Sequence, residues 1–213
     1  MPANNRPLLI GITGSIGSGK SSFSRFICQH GFRVISADAI ANQHLKDRNV
    51  IAWLSQRWGN CILDGDVLDR QKIAEIAFND PVERSFLNSV LHPLVLRDFQ
   101  QIVSKAIDQY LFFEVPLLYE ADLQGCFDYV ILITASFESR IQRLYNRNPG
   151  NLQNQIQRLR SQIPDEIKAE WAHLVVDNSD SLTQLEQAVD DFCQRLTALP
   201  YRQIQKFTDV PIA

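Results

Sequence analysis

The chain has 213 residues, 45% of them hydrophobic and 21% charged, with a formal net charge of −3. Such a length and composition are typical of a globular protein with one main core. The small negative charge disfavours a general nucleic-acid-binding protein, because affinity for the phosphate backbone depends on accumulated Lys and Arg. The apolar runs are shorter than the ~18–20 residues that span a bilayer, so no membrane partner is expected.

The N-terminal segment, Met1 to Pro7, contains two prolines and no apolar stretch. It differs from a secretory or transit peptide, so we expect a cytoplasmic location. The four cysteines are widely separated and form no Cys-x-x-Cys pair, which argues against a zinc site and a disulfide framework.

We expect a monomer, with a homo-oligomer as the alternative.

Five short runs of the chain are nearly all apolar, as strands are when a parallel sheet is covered by helices on both faces. The runs are Leu8–Thr13, Arg33–Ser36, Tyr110–Val115, Tyr129–Thr134 and Leu174–Val176. Helical patterns separate them, so the predicted fold class is α/β.

The first run leads into Gly14–Ser21, which has the Gly-x-x-x-x-Gly-Lys-Ser spacing of a phosphate-binding loop. A helical pattern follows, with Phe23, Phe26 and Ile27 on one face and Gly31 just beyond its end. In this context the glycines let backbone N–H groups turn inward around a phosphate, and the helix N-terminus favours an anion. The chain is therefore predicted to bind ATP.

Individual side chains of this loop have predicted roles. Lys20 should reach the β- and γ-phosphates, and Ser21 should offer a hydroxyl ligand to Mg²⁺, the expected cofactor. The predicted ATP-binding residues of the loop are Ser15, Gly17, Ser18, Gly19, Lys20, Ser21 and Ser22.

Two carboxylates follow or end predicted strands. The carboxyl ends of such strands face the ligand crevice, so Asp38 is a candidate general base toward an acceptor hydroxyl. Alternatively, or in addition, it caps a helix that begins at Ala39. Glu114 ends the third strand and is a candidate Mg²⁺ ligand, directly or through water. A salt bridge to a nearby Arg is the alternative, because a charge at the end of a buried strand needs a partner.

Residues 39–107 show no convincing strand pattern but several helices, one beginning at Asp80-Pro81 and another at Pro93. This insertion is predicted to be a substrate-binding subdomain, with simple packing against the sheet edge as the alternative. A last helix is predicted to begin at Ser181, where Gln184 completes a capping box.

The segment Ser139–Pro164 contains five arginines and no Asp or Glu. Arg140, Arg143 and Arg147 have the i, i+3, i+7 spacing of one helical face, and guanidinium groups bind phosphate oxygens in bidentate fashion. The stretch Asn148–Asn151 is predicted to be a hinge or a lid tip. We predict a basic lid over ATP; a solvated basic face and an RNA-binding patch are the alternatives.

From about Leu9 to Asn178 the chain resembles the dephospho-CoA kinase family, which performs the last step of coenzyme A synthesis. The motifs that carry the resemblance are Gly11–Ser21, Ala37-Asp38, Trp58-Gly59, Asp64-Gly65, Leu68–Arg70, Leu87-Asn88, His92-Pro93, Val115–Leu118 with Glu120, Arg143-Leu144, Arg147, Arg158 with Gln162, and Asn178. Their order and spacing together are more specific than any one of them. By itself, Glu120 is expected at the surface.

The resemblance implies a P-loop kinase fold, with three α/β/α layers, a five-stranded parallel sheet in the order 2-3-1-4-5, a helical insertion and a lid. It implies one domain over 1–213. The implied parts are a nucleotide-binding core of 8–38, 108–138 and 170–200, a helical CoA-substrate subdomain of 39–107 and a lid of 139–169.

The implied reaction transfers a phosphoryl group from ATP to the ribose 3′-hydroxyl of dephospho-CoA. The implied catalytic residues are Asp38 as the base, Lys20 and Arg147; Arg143 and Arg147 would also bind ATP. The implied substrate-binding residues are Thr13, Asp38, Arg70, His92, Pro116 and Leu117. Another P-loop kinase for a small molecule or nucleotide, and a non-catalytic nucleotide-binding switch, are the alternative functions.

The chain departs from the family's usual pattern at a few positions. Ser15 stands where the family has a second glycine before the isoleucine, and Ser22 where it has threonine. Ser36 stands where the family commonly has an acidic residue. Arg140 places a charge where the family has glutamine.

Overall fold

A computed structural model describes residues 6–211 of the chain. They form two compact units. The sheet unit comprises the described residues 6–36 and 105–205, and the helical unit comprises 37–104 and 206–211. The division into a nucleotide-binding core, a substrate subdomain and a lid assigns functions to segments, and it stays a prediction.

The described residues contain short strands and α-helices. The strands are β1 (Leu8–Thr13), β2 (Arg33–Ser36), β3 (Leu63–Asp64), β4 (Val67–Leu68), β5 (Tyr110–Glu114), β6 (Tyr129–Thr134) and β7 (Leu174–Asp177). The α-helices are α1 (Lys20–Gln29), α2 (Ala37–His44), α3 (Arg48–Trp58), α4 (Arg70–Asn79), α5 (Pro81–Lys105), α6 (Phe137–Arg147), α7 (Leu152–Arg160), α8 (Asp165–Trp171) and α9 (Leu182–Arg195). Within residues 6–211, none of these helices combines the length and apolarity needed to cross a bilayer.

The sheet unit holds a five-stranded parallel sheet in the order β2-β5-β1-β6-β7. Counted among themselves, these strands have the order 2-3-1-4-5, so the predicted fold class and strand order are confirmed. The central strand is β1, in which Ile12 pairs in register with Glu114 of β5 and with Ile131 of β6. Since all five strands run in the same direction, their carboxyl ends meet at one edge of the sheet.

Helices α1 and α9 cover the sheet with apolar faces. Every residue of β1 is buried. Phe23 and Ile27 of α1 share one core cluster with Leu185 and Val189 of α9 and with residues of the central strands. Full burial of each such side chain contributes ~1.5–3 kcal/mol, so this cluster fixes where α1 begins relative to the end of β1.

Both predicted ends of these helices are confirmed. The chain leaves α1 through Gly31, whose φ of +83° suits a residue without a Cβ. At the start of α9, the Ser181 hydroxyl accepts from the N–H of Gln184 and the Gln184 side chain accepts from the N–H of Ser181. This is the predicted capping box.

The helical unit has a core of its own. Its buried members are Val50, Leu54, Ile62, Leu68, Ile73 and Leu91. The side chains of Asp47 and Asp69 accept backbone N–H groups at the starts of α3 and α4, which satisfies helix donors that would otherwise be unpaired. The C-terminal segment joins this unit, because the ring of Phe207 packs edge-on against Phe99 with a centroid separation of 5.2 Å.

Two local predictions for the insertion are wrong. First, β3 and β4 form a short antiparallel hairpin, which is too brief to leave a period-two pattern in the sequence. Second, Pro93 does not begin a helix but lies inside α5. A proline within a helix costs ~3 kcal/mol, and burial of neighbours such as Leu91, Val95 and Phe99 offsets that cost. The predicted start of α5 is confirmed, since the side chain of Asp80 accepts from the N–H of Val82 at 2.7 Å.

Asp128, which is fully buried, forms hydrogen bonds with the N-terminal part of the sheet unit. Arg6 donates to both of its carboxylate oxygens, at 2.6 and 2.8 Å, and the N–H groups of Leu9 and Arg202 donate at 2.9 and 2.7 Å. Burial of this carboxyl opposes its ionisation, but the hydrogen bonds from Arg6, Arg202 and Leu9 outweigh burial and lower its pKa. One carboxylate thus ties β1 to the residue before β6 and to the segment after α9.

Candidate active site

The loop between β1 and α1 has a conformation that requires glycine at both ends. Gly14 has a φ of +148° and Gly19 a φ of +99°. A Cβ added to Gly14 would lie 2.2 Å from the carbonyl oxygen of Ile133, and one on Gly19 would lie 2.0 Å from Nδ2 of Asn178. The loop therefore packs directly against the end of β6 and the residue that follows β7.

Lys20 brings positive charge to this loop. Its Nζ donates to the carbonyl oxygen of Gly14 at 2.6 Å and to that of Ser15 at 3.1 Å. Lys20 is also the first residue of α1, where unpaired N–H groups and the helix dipole attract an anion. The ammonium and the helix N-terminus thus favour a phosphate at the same place.

Arg143 of α6 reaches the loop from its other side. Its Nη2 donates to the carbonyl oxygen of Asn178 at 2.6 Å, and its Nη1 lies 3.4 Å from the carbonyl oxygens of Gly17 and Ser18. The side chain of Asn178 is buried and donates to the Ser18 carbonyl oxygen at 2.8 Å. Arg143 was predicted for this site, whereas Asn178 contributed to the resemblance without an assigned role.

A second set of side chains holds the first half of the loop. Ser15 donates its hydroxyl hydrogen to Oδ1 of Asp165 at 2.5 Å, and Arg140 donates to Oδ2 of the same carboxylate at 2.9 Å. The N–H of Ile16 donates to Oε1 of Gln162 at 2.9 Å. Sequence reasoning missed Asp165, because the acid-free segment that drew attention ends at Pro164.

Ser21 and Glu114 meet at the carboxyl edge of the sheet. The Ser21 hydroxyl donates to Oε1 of Glu114 at 3.1 Å. Hydroxyl and carboxylate oxygens are ligands that Mg²⁺ prefers, so the pair fits the predicted metal ion. The alternative for Glu114 was a salt bridge to an Arg, and no such pair occurs among residues 6–211.

Comparison with known proteins decides the family. A family model described as dephospho-CoA kinase matches residues 8–184, which is most of the chain. This chain belongs to the dephospho-CoA kinase family. The match spans the loop, β5 and the residues of α6, α8 and the β7 end that hold the loop.

Individual members of the dephospho-CoA kinase family show the same similarity along their whole length. A dephospho-CoA kinase of Fusobacterium nucleatum is 30% identical over 89% of this chain and 98% of its own length. One of Halalkalibacterium halodurans is 31% identical over 92% of this chain and all of its own length. One of Thermus thermophilus is 32% identical over 90% of this chain and 93% of its own.

Solved structures agree with the family. A protein from Thermus thermophilus aligns with a TM-score of 0.78 at 32% identity, covering 90% of this chain and 99% of its own. A dephospho-CoA kinase from Campylobacter jejuni aligns with a TM-score of 0.63 at 28% identity, covering 89% and 97%. A shikimate kinase from Acinetobacter baumannii, at 16% identity and a TM-score of 0.54, shares the fold alone.

Of the residues that likeness to dephospho-CoA kinase had suggested, Arg147 lies farther from the loop, whereas Thr13 directly precedes it. Arg147, at the end of α6, is exposed, whereas Arg140 and Arg143 face the loop from earlier turns. One helical turn rises ~5.4 Å, so Arg147 sits roughly a turn beyond Arg143. Near the end of β1, the buried Thr13 donates its hydroxyl hydrogen to the carbonyl oxygen of Pro116 at 3.3 Å.

Two other predicted site residues, Leu117 and Ser22, are at least partly exposed to solvent. Leu117 follows Pro116 and is 41% exposed. Ser22 is half-buried in the first turn of α1, and its N–H donates to the carbonyl oxygen of Gly19 at 3.0 Å. The substrate-binding role of Leu117 and the ATP-binding role of Ser22 stay predictions.

Three predicted residues belong to the helical unit. Asp38 is exposed in the first turn of α2, which begins at Ala37, so the expected cap of a helix beginning at Ala39 is wrong by two positions. Arg70 is exposed and is the first residue of α4. His92 lies within α5, where burial lowers its pKa and so favours the neutral imidazole.

Glu120 has a partner that the sequence did not reveal. The residue lies at the surface, but its carboxylate turns inward, with Oε1 at 2.8 Å from Nζ of the fully buried Lys168. The same oxygen accepts from the N–H of Ile163 at 3.1 Å. The segment after β5 is thus joined to α8 and to the turn before it.

Proposed function

We propose that this chain transfers the γ-phosphoryl group of ATP to the ribose 3′-hydroxyl of dephospho-CoA, which gives coenzyme A and ADP. The family match over residues 8–184 carries the proposal. The loop at the end of β1, with Lys20 and Arg143 around it, supports the donor half of the reaction.

On the donor side, the inward N–H groups of the loop and the N-terminus of α1 would bind the β-phosphate. Lys20 and Arg143 would neutralise charge on the transferring group, which is how most phosphoryl transfer is accelerated. Ser21 and Glu114 would hold Mg²⁺, the latter directly or through water. When bound, the ion would neutralise negative charge on the phosphate groups of ATP.

On the acceptor side, Asp38 would be the general base that accepts the proton of the 3′-hydroxyl. It is the second residue after Ser36, which pairs in register with Glu114, so chain connectivity keeps Asp38 within ~7 Å of the end of β2. This position supports the role, since ligands of such sheets bind beyond the carboxyl ends of the strands. Arg70, His92, Thr13, Pro116 and Leu117 would shape the substrate side.

We further propose that residues 139–169 act as a lid whose moving part is the region around Arg147 and Asn148, while Arg140 and Asp165 stay attached to the loop. Arg147 is exposed and has a long, permanently charged side chain, so closure of this segment would add its guanidinium to the phosphates. The monomeric state and the cytoplasmic location stay predictions from the sequence.

The proposal is tested by a coupled assay of ADP release with dephospho-CoA, adenosine, AMP, cytidine and shikimate as acceptors. Of these acceptors, we expect only dephospho-CoA to give turnover well above background. The product should have the mass of coenzyme A. A Lys20→Ala variant sets the background. Turnover with another acceptor and none with dephospho-CoA would show that the chain is a kinase for a different acceptor.

A further inference from the structure

Asp165 is the meeting point of two side chains that approach from different elements. Its Oδ1 accepts the hydroxyl hydrogen of Ser15 at 2.5 Å, and its Oδ2 accepts from Nη1 of Arg140 at 2.9 Å. Ser15 belongs to the phosphate-binding loop, Arg140 to α6, and Asp165 is the first residue of α8.

This cluster is withdrawn from water. The exposed fractions are 2% for Ser15, 8% for Asp165 and 14% for the Arg140 side chain. A carboxylate so buried is stable only if its oxygens are paired, and here one oxygen takes a hydroxyl and the other a guanidinium. Each partner therefore depends on the carboxylate, and the carboxylate on both partners.

The cluster acts on the backbone of the loop. Gln162, three residues before Asp165, accepts the N–H of Ile16 at 2.9 Å, so one short segment holds two successive loop residues. A Cβ added to Gly17 would lie 3.2 Å from both Cβ and the carbonyl oxygen of Arg140, which shows how closely α6 approaches the loop. The loop is thus enclosed from Ser15 to Gly17 by groups other than those that would bind phosphate.

We propose that Asp165 is a positioning residue for ATP, acting through Ser15 and Arg140 to hold the loop in its phosphate-binding shape. The inference rests on the proposed function only in taking ATP as the donor. Because the loop is fixed before the nucleotide arrives, binding does not have to order it. Loss of the carboxylate frees Ser15 and leaves the Arg140 guanidinium without its partner beside the loop.

The test is calorimetric titration of a non-hydrolysable ATP analogue with Mg²⁺ into wild-type and variant chains. Asp165→Ala should raise the Kd about tenfold or more, as expected when two hydrogen bonds to a buried charge are lost. In steady-state assays the KM for ATP should rise with it, while the KM for dephospho-CoA stays within about twofold. Glu166→Ala is the matched control, because Glu166 is the exposed neighbour on the same helix and should bind as wild type.

A cycle of double variants shows whether Asp165 acts through its partners. If it does, Asp165→Ala/Arg140→Gln and Asp165→Ala/Ser15→Ala should bind the analogue no more weakly than Asp165→Ala alone. Additive effects, or a wild-type Kd for Asp165→Ala, would overturn the proposal. So would an equal rise in the KM for both substrates.

Two milder variants keep the test decisive if Asp165→Ala does not fold. Ser15→Ala removes only the hydroxyl, and Arg140→Gln keeps a donor without the charge. Each should raise the Kd of the analogue several-fold in a chain that still folds, although with a lowered Tm because the buried Asp165 carboxylate loses one partner. Wild-type affinity in both would overturn the proposal. The titration needs no acceptor, so it gives its answer even if dephospho-CoA is not phosphorylated.

Discussion

At the scale of single residues, Asp38 is the side chain on which the proposed chemistry depends most. Asp38→Asn keeps the size and polarity of the side chain but removes its ability to accept a proton. We expect transfer to dephospho-CoA to fall by ~10²-fold or more while ATP binding stays as in the wild type. The measurements are ADP release and the Kd of a non-hydrolysable ATP analogue.

Asp66→Asn is the matched control, since Asp66 is an exposed aspartate elsewhere in the helical unit and should retain full turnover. If Asp38→Asn turns over as fast as the wild type, Asp38 is not the base. A parallel loss of ATP affinity would instead assign it a role in binding the nucleotide.

The position and shape of the loop were predictable, because they follow from the spacing of neighbouring residues in the sequence. The loop is one short stretch of sequence that contains Gly14, Gly19, Lys20 and Ser21. The strand before it and the helix after it can both be recognised from the sequence. Asp165 was not predictable. Its partners Ser15 and Arg140 are distant from it in the sequence. An aspartate at the start of a helix is ordinarily interpreted as a residue that stabilises the helix N-terminus.

At the scale of elements, the strands of the sheet were easier to predict than the helices of the insertion. The runs at β1, β2 and β6 were predicted to the residue. The strands β1 and β6 are buried along most of their length and are apolar for that reason, whereas β2 is an edge strand in which Arg33 is exposed. The prediction that a helix begins at Pro93 was wrong, because the sequence shows the local cost of proline but not the tertiary contacts of α5 that outweigh it. The hairpin of β3 and β4 gave no periodic signal at all.

The ion pair of Glu120 and Lys168 gives a prediction for α8. Glu120→Gln leaves the ammonium of a fully buried lysine facing a neutral amide, whereas Lys168→Met leaves a carboxylate that is 18% exposed and can regain water. We expect Glu120→Gln to lower the free energy of unfolding by about 3 kcal/mol and Lys168→Met by about 1 kcal/mol. Urea unfolding of both variants measures the difference.

The double variant should lie closer to Lys168→Met than to the sum of the single variants, because removing both charges removes the uncompensated one. Glu170→Gln, an exposed glutamate on the same helix, should be neutral. An equal or smaller cost for Glu120→Gln than for Lys168→Met would show that Lys168 finds another partner or loses its charge.

At the scale of the whole molecule, Asp128 joins parts of the sheet unit that are distant in sequence. Asp128→Asn should lower the free energy of unfolding at pH 7 by about 3 kcal/mol, because Arg6 loses a buried partner. The folded-state pKa of Asp128 is lowered, so its stabilisation is full above about pH 4 and is lost as the pH falls through that lowered value. The gap between wild type and variant should therefore close in acid.

Urea unfolding at several pH values between neutral and strongly acidic measures this gap. Asp190→Asn provides the control, since Asp190 pairs with His30 at the surface and such pairs contribute only ~0–1 kcal/mol. A gap that is constant with pH would show that Asp128 contributes through the shape of its hydrogen bonds and not through its charge.

The order of the sheet also has a consequence for how the protein is made. The central strand β1 ends at Thr13, but its neighbours β5 and β6 begin only at Tyr110 and Tyr129. As the chain leaves the ribosome, the phosphate-binding loop therefore emerges with no sheet to support it, and such long-range pairings form slowly. Asp165 and Asn178, which shape the loop, are added later still. The nascent kinase is thus without a nucleotide site for most of its own synthesis.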